Sequence, residues 1–513
     1  MAKTLVHGAQ VLQGFGADDE PIVASDAGVL VDGGMVASVG PFDALRAAHP
    51  DATVSGGPDY VVIPGFVNAH HHIGLTPLQL GSPDHPLELW FASRLALRDV
   101  DLYLDTLYSA FEMIASGVTT VQHLHGWPRA PSPEAVIAGS REVMRAYREL
   151  GMRCSYSMAL RDQNHLAYEA NRDFAARLPG ELRPGIEAYF ARVAVQLEDQ
   201  VAVFHELYHD HADDPLIRVQ LAPANLHWLS DRGLEVAAEL AEGTGAPMHM
   251  HLLETPYQKA YALRRTGGSA LAYLQRFGLT GPRLTIGHGV WLTDADIDLC
   301  AETGTRVCHN CSSNFRLKSG VAPINRLRAK GIPVAIGLDE AGINDDRDML
   351  QELRLVLRTH REPGIEAPHP IPAGVLRMAT EHGAGTTSFA DSIGKLEPGR
   401  AADLVILDWN EITYPYQSRD IPWVDVLVQR ARPPAVNTVM IGGEVVYRDG
   451  RFTRVDRDAV LAEIADMLAR PLTPEEDERR VLAAGVMEHF RRFYDGYLDG
   501  IPVQPHYRPS SRI

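Results

Sequence analysis

Lysine is nearly missing from this chain. Its 513 residues include 48 basic ones, yet only five are lysine (Lys3, Lys259, Lys318, Lys330 and Lys395), and none lies between Thr4 and Gln258. Cysteine is as rare, at four residues, too few for the disulfide framework of a small secreted domain. No run approaches the 18 or so consecutive apolar residues that cross a bilayer. The opening Met1-Ala-Lys-Thr-Leu-Val-His-Gly lacks the apolar stretch and small-residue cleavage site of a secretory signal. A cytoplasmic protein with no membrane partner is expected. Basic tracts are also absent. With 66 acidic residues against 48 basic the net charge is −18, and phosphate affinity needs clustered cations, so nucleic acid is not an expected partner. The expected partners are a small-molecule substrate and further copies of the chain, as a dimer or higher homo-oligomer.

Apolar residues make up 45% and charged residues 22%, enough to bury a large core. The first 60 residues read as short strands and turns, and Asp32-Gly33-Gly34 between two apolar runs marks a hairpin. The same texture returns in Ala402-Asp-Leu-Val-Ile-Leu-Asp and in a second hairpin turning at Gly442-Gly443. Residues 1–62 and 385–455 are therefore expected to form one small β-sandwich domain from both chain ends. The middle, 63–384, alternates candidate strands (66–70, 118–123, 153–158, 217–221, 247–251, 284–288, 306–309 and 334–339) with helical patterns such as 102–116, 134–150 and 234–242. Eight strands each followed by a helix fit an α/β fold of the (β/α)8 TIM-like barrel type. No glycine-rich phosphate fingerprint supports an open doubly wound sheet. Residues 456–513 read as a helical extension ending in an aromatic tail, Phe490-Arg-Arg-Phe-Tyr-Asp-Gly-Tyr, expected to pack on the barrel or on a second subunit.

Active sites of such barrels lie at the C-terminal strand ends, and histidines and acids collect there. His70 and His72 close the first strand, two residues apart, so both imidazoles face the same way while His71 points elsewhere. His249 and His251 repeat the spacing on the fifth strand, with Glu254 three residues on; His288 ends the sixth and Asp339 the eighth. One His-x-His pair is a weak signal; four such features on four strand ends are not.

Pro64-Gly-Phe-Val-Asn-Ala-His-His-His, His251-Leu-Leu-Glu254, Gly287-His288-Gly, His309-Asn-Cys-Ser-Ser-Asn314 and Gly337-Leu-Asp339 resemble the metal-dependent amidohydrolase superfamily, in the branch of cytosine/adenosine-type deaminases and triazine hydrolases. Gly394-Lys-Leu-Glu-Pro-Gly-Arg-Ala-Ala-Asp-Leu-Val resembles that family's return into its β-domain. The resemblance implies His70, His72, His251 and Asp339 as metal ligands, Glu254 as a proton shuttle and His288 as the group that polarises the reacting atom. Imidazoles with one carboxylate suit a borderline divalent ion, zinc first and iron second. Such an ion brings the pKa of bound water from about 15.7 towards about 7, giving a metal-bound hydroxide. Asp339 is placed to accept the water's proton and Glu254 to protonate the leaving nitrogen. His249 is expected behind the ligands. Two-metal members of this superfamily bridge their ions with a modified lysine, commonly on the fourth strand. Here that strand runs Ile217-Arg-Val-Gln-Leu-Ala-Pro-Ala-Asn-Leu-His without lysine, so one ion per chain is expected.

Other features carry two readings. Cys308-His-Asn-Cys311 has the spacing of a redox or zinc motif, but no second pair accompanies it. His123, His125 and Trp127 after the second strand, and Asn225, His227 and Trp228 after the fourth, line a substrate pocket or belong to ordinary loops. Trp90 and Phe91 stack on a planar substrate or pack in the core. The expected activity is hydrolysis of a non-peptide carbon–nitrogen bond, with deamination of a cyclic amidine leading. Amide, urea or carbamate cleavage is the alternative, and removal of a halide trails both. A catalytically silent scaffold is remote, because such relatives lose ligands and every ligand position is filled here. Glu340 after Asp339 and the paired His123 and His125 depart from the common deaminase pattern.

Overall fold

The computed structural model describes residues 3–72, 74–126, 132–507 and 510; Trp127 lies outside them. Both chain ends enter one eight-stranded sheet. The N-terminal end supplies Thr4–Phe15, Pro21–Asp32, Met35–Pro41 and Thr53–Pro64, and the C-terminal end supplies Leu404–Asp408, Val436–Ile441, Glu444–Arg448 and Arg451–Phe452. They join where Thr53–Pro64 pairs antiparallel with Leu404–Asp408, Pro64 opposite Leu404 and Tyr60 opposite Asp408. The Asp32-Gly33-Gly34 turn forms as expected, with both glycines at positive φ (59° and 83°), a conformation that costs a side chain-bearing residue energy. One face is apolar: Val6, Val29, Val62, Ile406 and Met440 form a common cluster.

The middle of the chain is α/β, with parallel strands in two runs. One is Phe66–His71, Val118–His125, Arg153–Leu160 and Ile217–Val219; the other is Met248–Leu252, Leu284–His288, Arg306–His309 and Val334–Ile336. Two isolated parallel bridges, Leu221 to Met248 and His71 to Asp339, tie the runs together at both ends. Nearly every strand residue is buried, as strands covered on both faces by helices require. Local chemistry sets the helix limits. Pro133–Leu150 starts where the Ser132 hydroxyl accepts from the Ala135 amide and stops at Gly151, φ 77°. Leu102–Ala115 is capped by the Asp101 carboxylate, and Asp294–Thr303 by a reciprocal Thr293–Asp296 capping box. A buried bidentate pair, Arg153 to Asp403 at 2.8 and 2.9 Å, fastens the third parallel strand to the sheet of the chain ends.

Two helices close the chain, Arg457–Ala469 and Pro474–Tyr494. The second buries Val486, Phe490 and Tyr494 against Leu89, Ala92 and Leu95 of the segment that follows the first parallel strand, and against Phe174 and Ile186. The aromatic tail thus packs within its own chain, with Phe490 and Phe174 rings 4.6 Å apart. No helix among the described residues is long and apolar enough to cross a membrane.

Candidate active site

The first parallel strand ends in His70 and His71, followed by His72, and their side chains diverge as the period of two demands. His70 and His72 point to one place, where the Nε2 atoms lie 3.0 Å apart, and His251 Nε2 reaches the same place 3.1 Å from His72 Nε2. His71 points away, donating from Nδ1 to the Asp339 carbonyl at 3.2 Å. Two of the converging nitrogens carry lone pairs. His72 Nδ1 donates to the Leu124 carbonyl at 2.6 Å and His251 Nδ1 to the Ala224 carbonyl at 3.1 Å. A carbonyl only accepts, so each ring's proton sits on Nδ1 and each Nε2 is bare. Burial drives the His70 and His251 pKa values well below the ordinary range, and the neighbouring imidazoles add to the shift. Two bare nitrogens 3.1 Å apart, with His70 Nε2 3.0 Å from one of them, are a natural seat for a cation. The Asp339 carboxylate, 3.3 Å from His72 and 3.6 Å from His70, completes the set. These residues fit a divalent metal ion.

Close approach requires glycine beside this cluster. A Cβ on Gly337 would sit 2.4 Å from the His70 Cβ, and one on Gly287 would sit 3.0 Å from His249 Nε2 and His70 Cε1. His249, placed behind the ligands as expected, holds His70 Nδ1 at 2.8 Å. Burial lowers the His249 pKa to about 3. Three non-glycine residues at the strand ends have left-handed backbones: Leu253 (φ 52°), His288 (φ 71°) and Asp339 (φ 54°). Such conformations cost of order 1–3 kcal/mol each and cluster at functional sites.

Glu254 is 3% exposed, 3.7 Å from His288 Nδ1, and accepts from the Ser319 hydroxyl at 3.3 Å. Burial pushes its carboxyl well above the usual range, with the charges of Asp339 and Glu88 adding to the shift. His288 is oriented by two asparagines: Nδ1 donates to Asn314 Oδ1 at 3.0 Å and Nε2 accepts from Asn310 Nδ2 at 3.3 Å. The Ser313 hydroxyl donates to Asp339 Oδ2 at 2.6 Å. Sequence reasoning assigned no role to Asn310, Ser313, Asn314 or Ser319. Their signal was a run of polar residues after the strand 306–309, and the helix Cys311–Arg316 that follows buries Ser313 and Asn314.

A cavity of about 290 Å³ opens on the cluster. His72, His251, Glu254, His288 and Asp339 line it, as do Trp90, His125 and Asn225 among the candidate substrate contacts. His227 does not line it; its ring is buried against Tyr168 (4.3 Å) and Trp228 (4.4 Å), and Trp228 faces the cavity instead. His123 lies behind His125. Glu340 is explained by Arg94, which stacks on Trp90 at 4.5 Å and pairs with Glu340 at 2.9 Å across the cavity rim. Arg161 and His165 also line the cavity and were not anticipated. Arg161 Nε, His165 Nε2 and Asn225 Nδ2 are all buried without a hydrogen-bond partner. Away from the cavity, Cys308 and Cys311 are both buried free thiols, and His309 Nε2 meets His360 Nε2 at 2.8 Å.

Comparison with known proteins places this geometry. Residues 61–446 match the model of the Amidohydrolase family, and residues 27–52 match an imidazolonepropionase-like composite domain of bacteria. A 5-methylthioadenosine/S-adenosylhomocysteine deaminase of Nitratidesulfovibrio vulgaris is 31% identical over 450 residues, covering 87% of this chain and 93% of that protein. A 5'-deoxyadenosine deaminase of Methanothermobacter thermautotrophicus is 30% identical over 454 residues, covering 87% and 94%. Among solved structures, a zinc-bound adenosine deaminase from Xanthomonas campestris superposes with a TM-score of 0.74 at 25% identity, covering 94% of this chain and 99% of that one. With a family match over most of its length and converging imidazoles beside two carboxylates, the chain belongs to the amidohydrolase family, metal-dependent hydrolases of carbon–nitrogen bonds other than peptide bonds.

Proposed function

We propose that this chain is a mononuclear zinc-dependent deaminase of an amino-heterocycle, and that its substrate is an adenosine altered at the 5' position. The observation that carries the reading is the meeting of three imidazole Nε2 atoms at 3.0 and 3.1 Å beside Asp339, next to a cavity lined also by Glu254 and His288. His70, His72, His251 and Asp339 would hold the ion, and the lack of a lysine on the fourth strand supports a single one. A divalent ion supplies Lewis acidity, which makes water a nucleophile at neutral pH. Asp339 takes up the attacking water's proton. Glu254 protonates the leaving nitrogen so that it departs as ammonia, and His288, fixed by Asn310 and Asn314, steadies the oxygen that is gained. The products are the oxo-heterocycle and ammonia. In the same reading the two parallel runs, tied by their bridging pairs, close as one (β/α)8 barrel over 63–384, with 1–62 and 385–455 as the composite β-domain and 456–513 as an extension.

The substrate class rests on the named relatives and on the cavity lining. Trp90, Phe91 and Trp228 offer aromatic faces to a planar base. Arg161, His165 and Asn225 offer donors without protein partners, suited to an acceptor-rich group at the 5' end, such as the carboxylate of S-adenosylhomocysteine. Ammonia release should be measured for the zinc-loaded chain on adenosine, 5'-deoxyadenosine, 5-methylthioadenosine, S-adenosylhomocysteine, an aminotriazine and a urea. Ammonia from the 5'-altered adenosines is the expected result. Stoichiometric zinc with release of an amine or halide from the other compounds, and none of ammonia from the adenosines, would overturn it.

A further inference from the structure

The first and last parallel strands, Phe66–His71 and Val334–Ile336, meet at a single isolated bridge, His71 to Asp339. Separate hydrogen bonds stand in for a ladder there. Asn68 Oδ1 accepts from the Leu338 amide at 2.9 Å, and the His70 carbonyl accepts from the Asp339 amide at 2.8 Å. The Asp339 carbonyl accepts from His71 Nδ1 at 3.2 Å. His72 and Asp339, two of the four residues that meet around the lone pairs, lie on the two sides of this seam.

Arg347 spans the same seam one step further out. Its guanidinium is fully buried and donates from one nitrogen to the Gly74 carbonyl, two residues after His72, and to the Glu340 carbonyl at 2.9 Å, one residue after Asp339. Its other terminal nitrogen pairs with Glu112 at 3.1 Å, and the Arg347 carbonyl accepts from Ser116 Oγ at 3.1 Å. Gly74 is held from its other side as well. The Asp105 carboxylate accepts from the Gly74 amide at 3.0 Å and from the Leu75 amide at 2.7 Å. A Cβ on Gly74 would lie 1.8 Å from the Asp105 carbonyl oxygen, so only glycine fits this turn. Asp105, Ser109, Glu112 and Ser116 recur at four, three and four along the helix Leu102–Ala115 and its C-cap, which puts them on one face. Ser109 Oγ lies 3.2 Å from His71 Nε2, so every member of this polar stripe bonds either the seam or Arg347. Polar groups turned inward are costly unless they are bonded in this way.

We propose that Arg347 is a positioning residue of the metal site: it locks the turn after His72 to the turn after Asp339, and so sets how tightly the ion is held. The clamp needs arginine. Two carbonyls and a carboxylate are reached at once by separate N–H groups of one rigid plane, which an ammonium group does not offer. Arg347→Lys keeps the charge and loses the fork. Buried carbonyls are then left without a donor, the two turns part, and His72 and Asp339 no longer face each other at a fixed spacing. His70 and His251 come from backbone that the fork does not touch, so binding of the ion weakens and does not vanish. The proposal rests on the reading of these four residues as ligands of one ion.

Zinc affinity of the full chain, measured by competition with a chromophoric chelator, tests the clamp. Arg347→Lys should raise the zinc Kd about 10–100-fold, the usual effect of losing a partner that orients a ligand. Arg153→Lys makes the same change at the buried arginine that holds Asp403; it should lower Tm and leave the zinc Kd unchanged. Hydrogen–deuterium exchange of the metal-free chains should show the Gly74, Leu75, Leu338 and Asp339 amides exchanging faster in Arg347→Lys and not in Arg153→Lys. If Arg347→Lys does not fold, Asp105→Asn loosens the same turn from its other side, because its amide offers one acceptor oxygen to two N–H groups, and it should raise the Kd about tenfold. An unchanged Kd in the folded variants, an equal rise in Arg153→Lys, or amides no faster than in the wild type would overturn the clamp. A wild-type chain that binds no zinc would instead count against the ligand reading, and the exchange measurement, which needs no metal, still judges the clamp.

Discussion

Two carboxylates near the lone-pair cluster are held in different ways, and the difference separates their roles. Asp339 faces the imidazole nitrogens of His70, His72 and His288 and takes the Ser313 hydroxyl, whereas Glu254 lies by His288 and Ser319 and has its pKa raised by burial and by the charges of Asp339 and Glu88. Glu254→Gln keeps the shape and leaves the imidazoles intact. The chain should therefore retain its zinc, by mass spectrometry, and lose about 10²–10⁴-fold in kcat, the usual weight of a general acid. Loss of the ion instead would make Glu254 a ligand. A third buried carboxylate, Glu352, reports on stability. Burial raises its pKa from the ordinary 4.5 to about 7, against the pull of hydrogen bonds from Ser312 and Cys311. The folded state then holds a proton that the unfolded state releases, so stability falls as pH rises from about 4.5 through about 7. Glu352→Gln, measured by thermal melts between pH 5 and 8, should flatten that slope and cost nothing at pH 8.

Part of the cavity wall stands on an element outside the family match. Trp90 and Phe91 lie on the helix Leu87–Ser93, Arg94 on the short turn that follows, and Tyr189 on Arg183–Val193. These elements share a core with the helix Pro474–Tyr494, and Arg479 of that helix donates to the Leu97 carbonyl at 3.1 Å and to Asp99 at 2.9 Å. Phe490→Ala should cost about 3–5 kcal/mol of packing, loosen the wall and raise KM tenfold or more while zinc binding survives. An unchanged KM would show that the helix serves stability alone. The wall was also what the sequence concealed. Parallel strands announce themselves by short apolar runs, and 284–288 and 306–309 match Leu284–His288 and Arg306–His309 residue for residue. The run 334–339 stops early, at Ile336, because the left-handed Asp339 leaves the ladder and meets His71 instead. The helices Asn171–Arg177 and Arg183–Val193 have short apolar faces that only the distant C-terminal helix completes. His227 and Trp228 carried the same signal, two aromatic rings after a strand, and only packing against Tyr168 decides which of them faces the cavity.

Across the whole molecule the lone-pair cluster gathers chain segments far apart in sequence. His70 and His72 come from the end of the first parallel strand, His251 from the fifth and Asp339 from beyond the eighth, so the groups span residues 70 to 339 and both parallel runs. An ion at this place would bind the folded chain and find no comparable set in the unfolded one. Its binding free energy is then folding free energy, about 4 kcal/mol when free ion exceeds the dissociation constant 1,000-fold. Removing it has a second cost, because the bare nitrogens of His72 and His251, 3.1 Å apart, repel once nothing positive lies between them. Relief needs one ring to take up a proton, which burial disfavours, or the strand ends to part. Dialysis against a chelator should therefore lower Tm by several degrees, and zinc should restore it at about one equivalent per chain. A Tm indifferent to chelation, or full recovery only at two equivalents, would contradict a single ion held by these four residues.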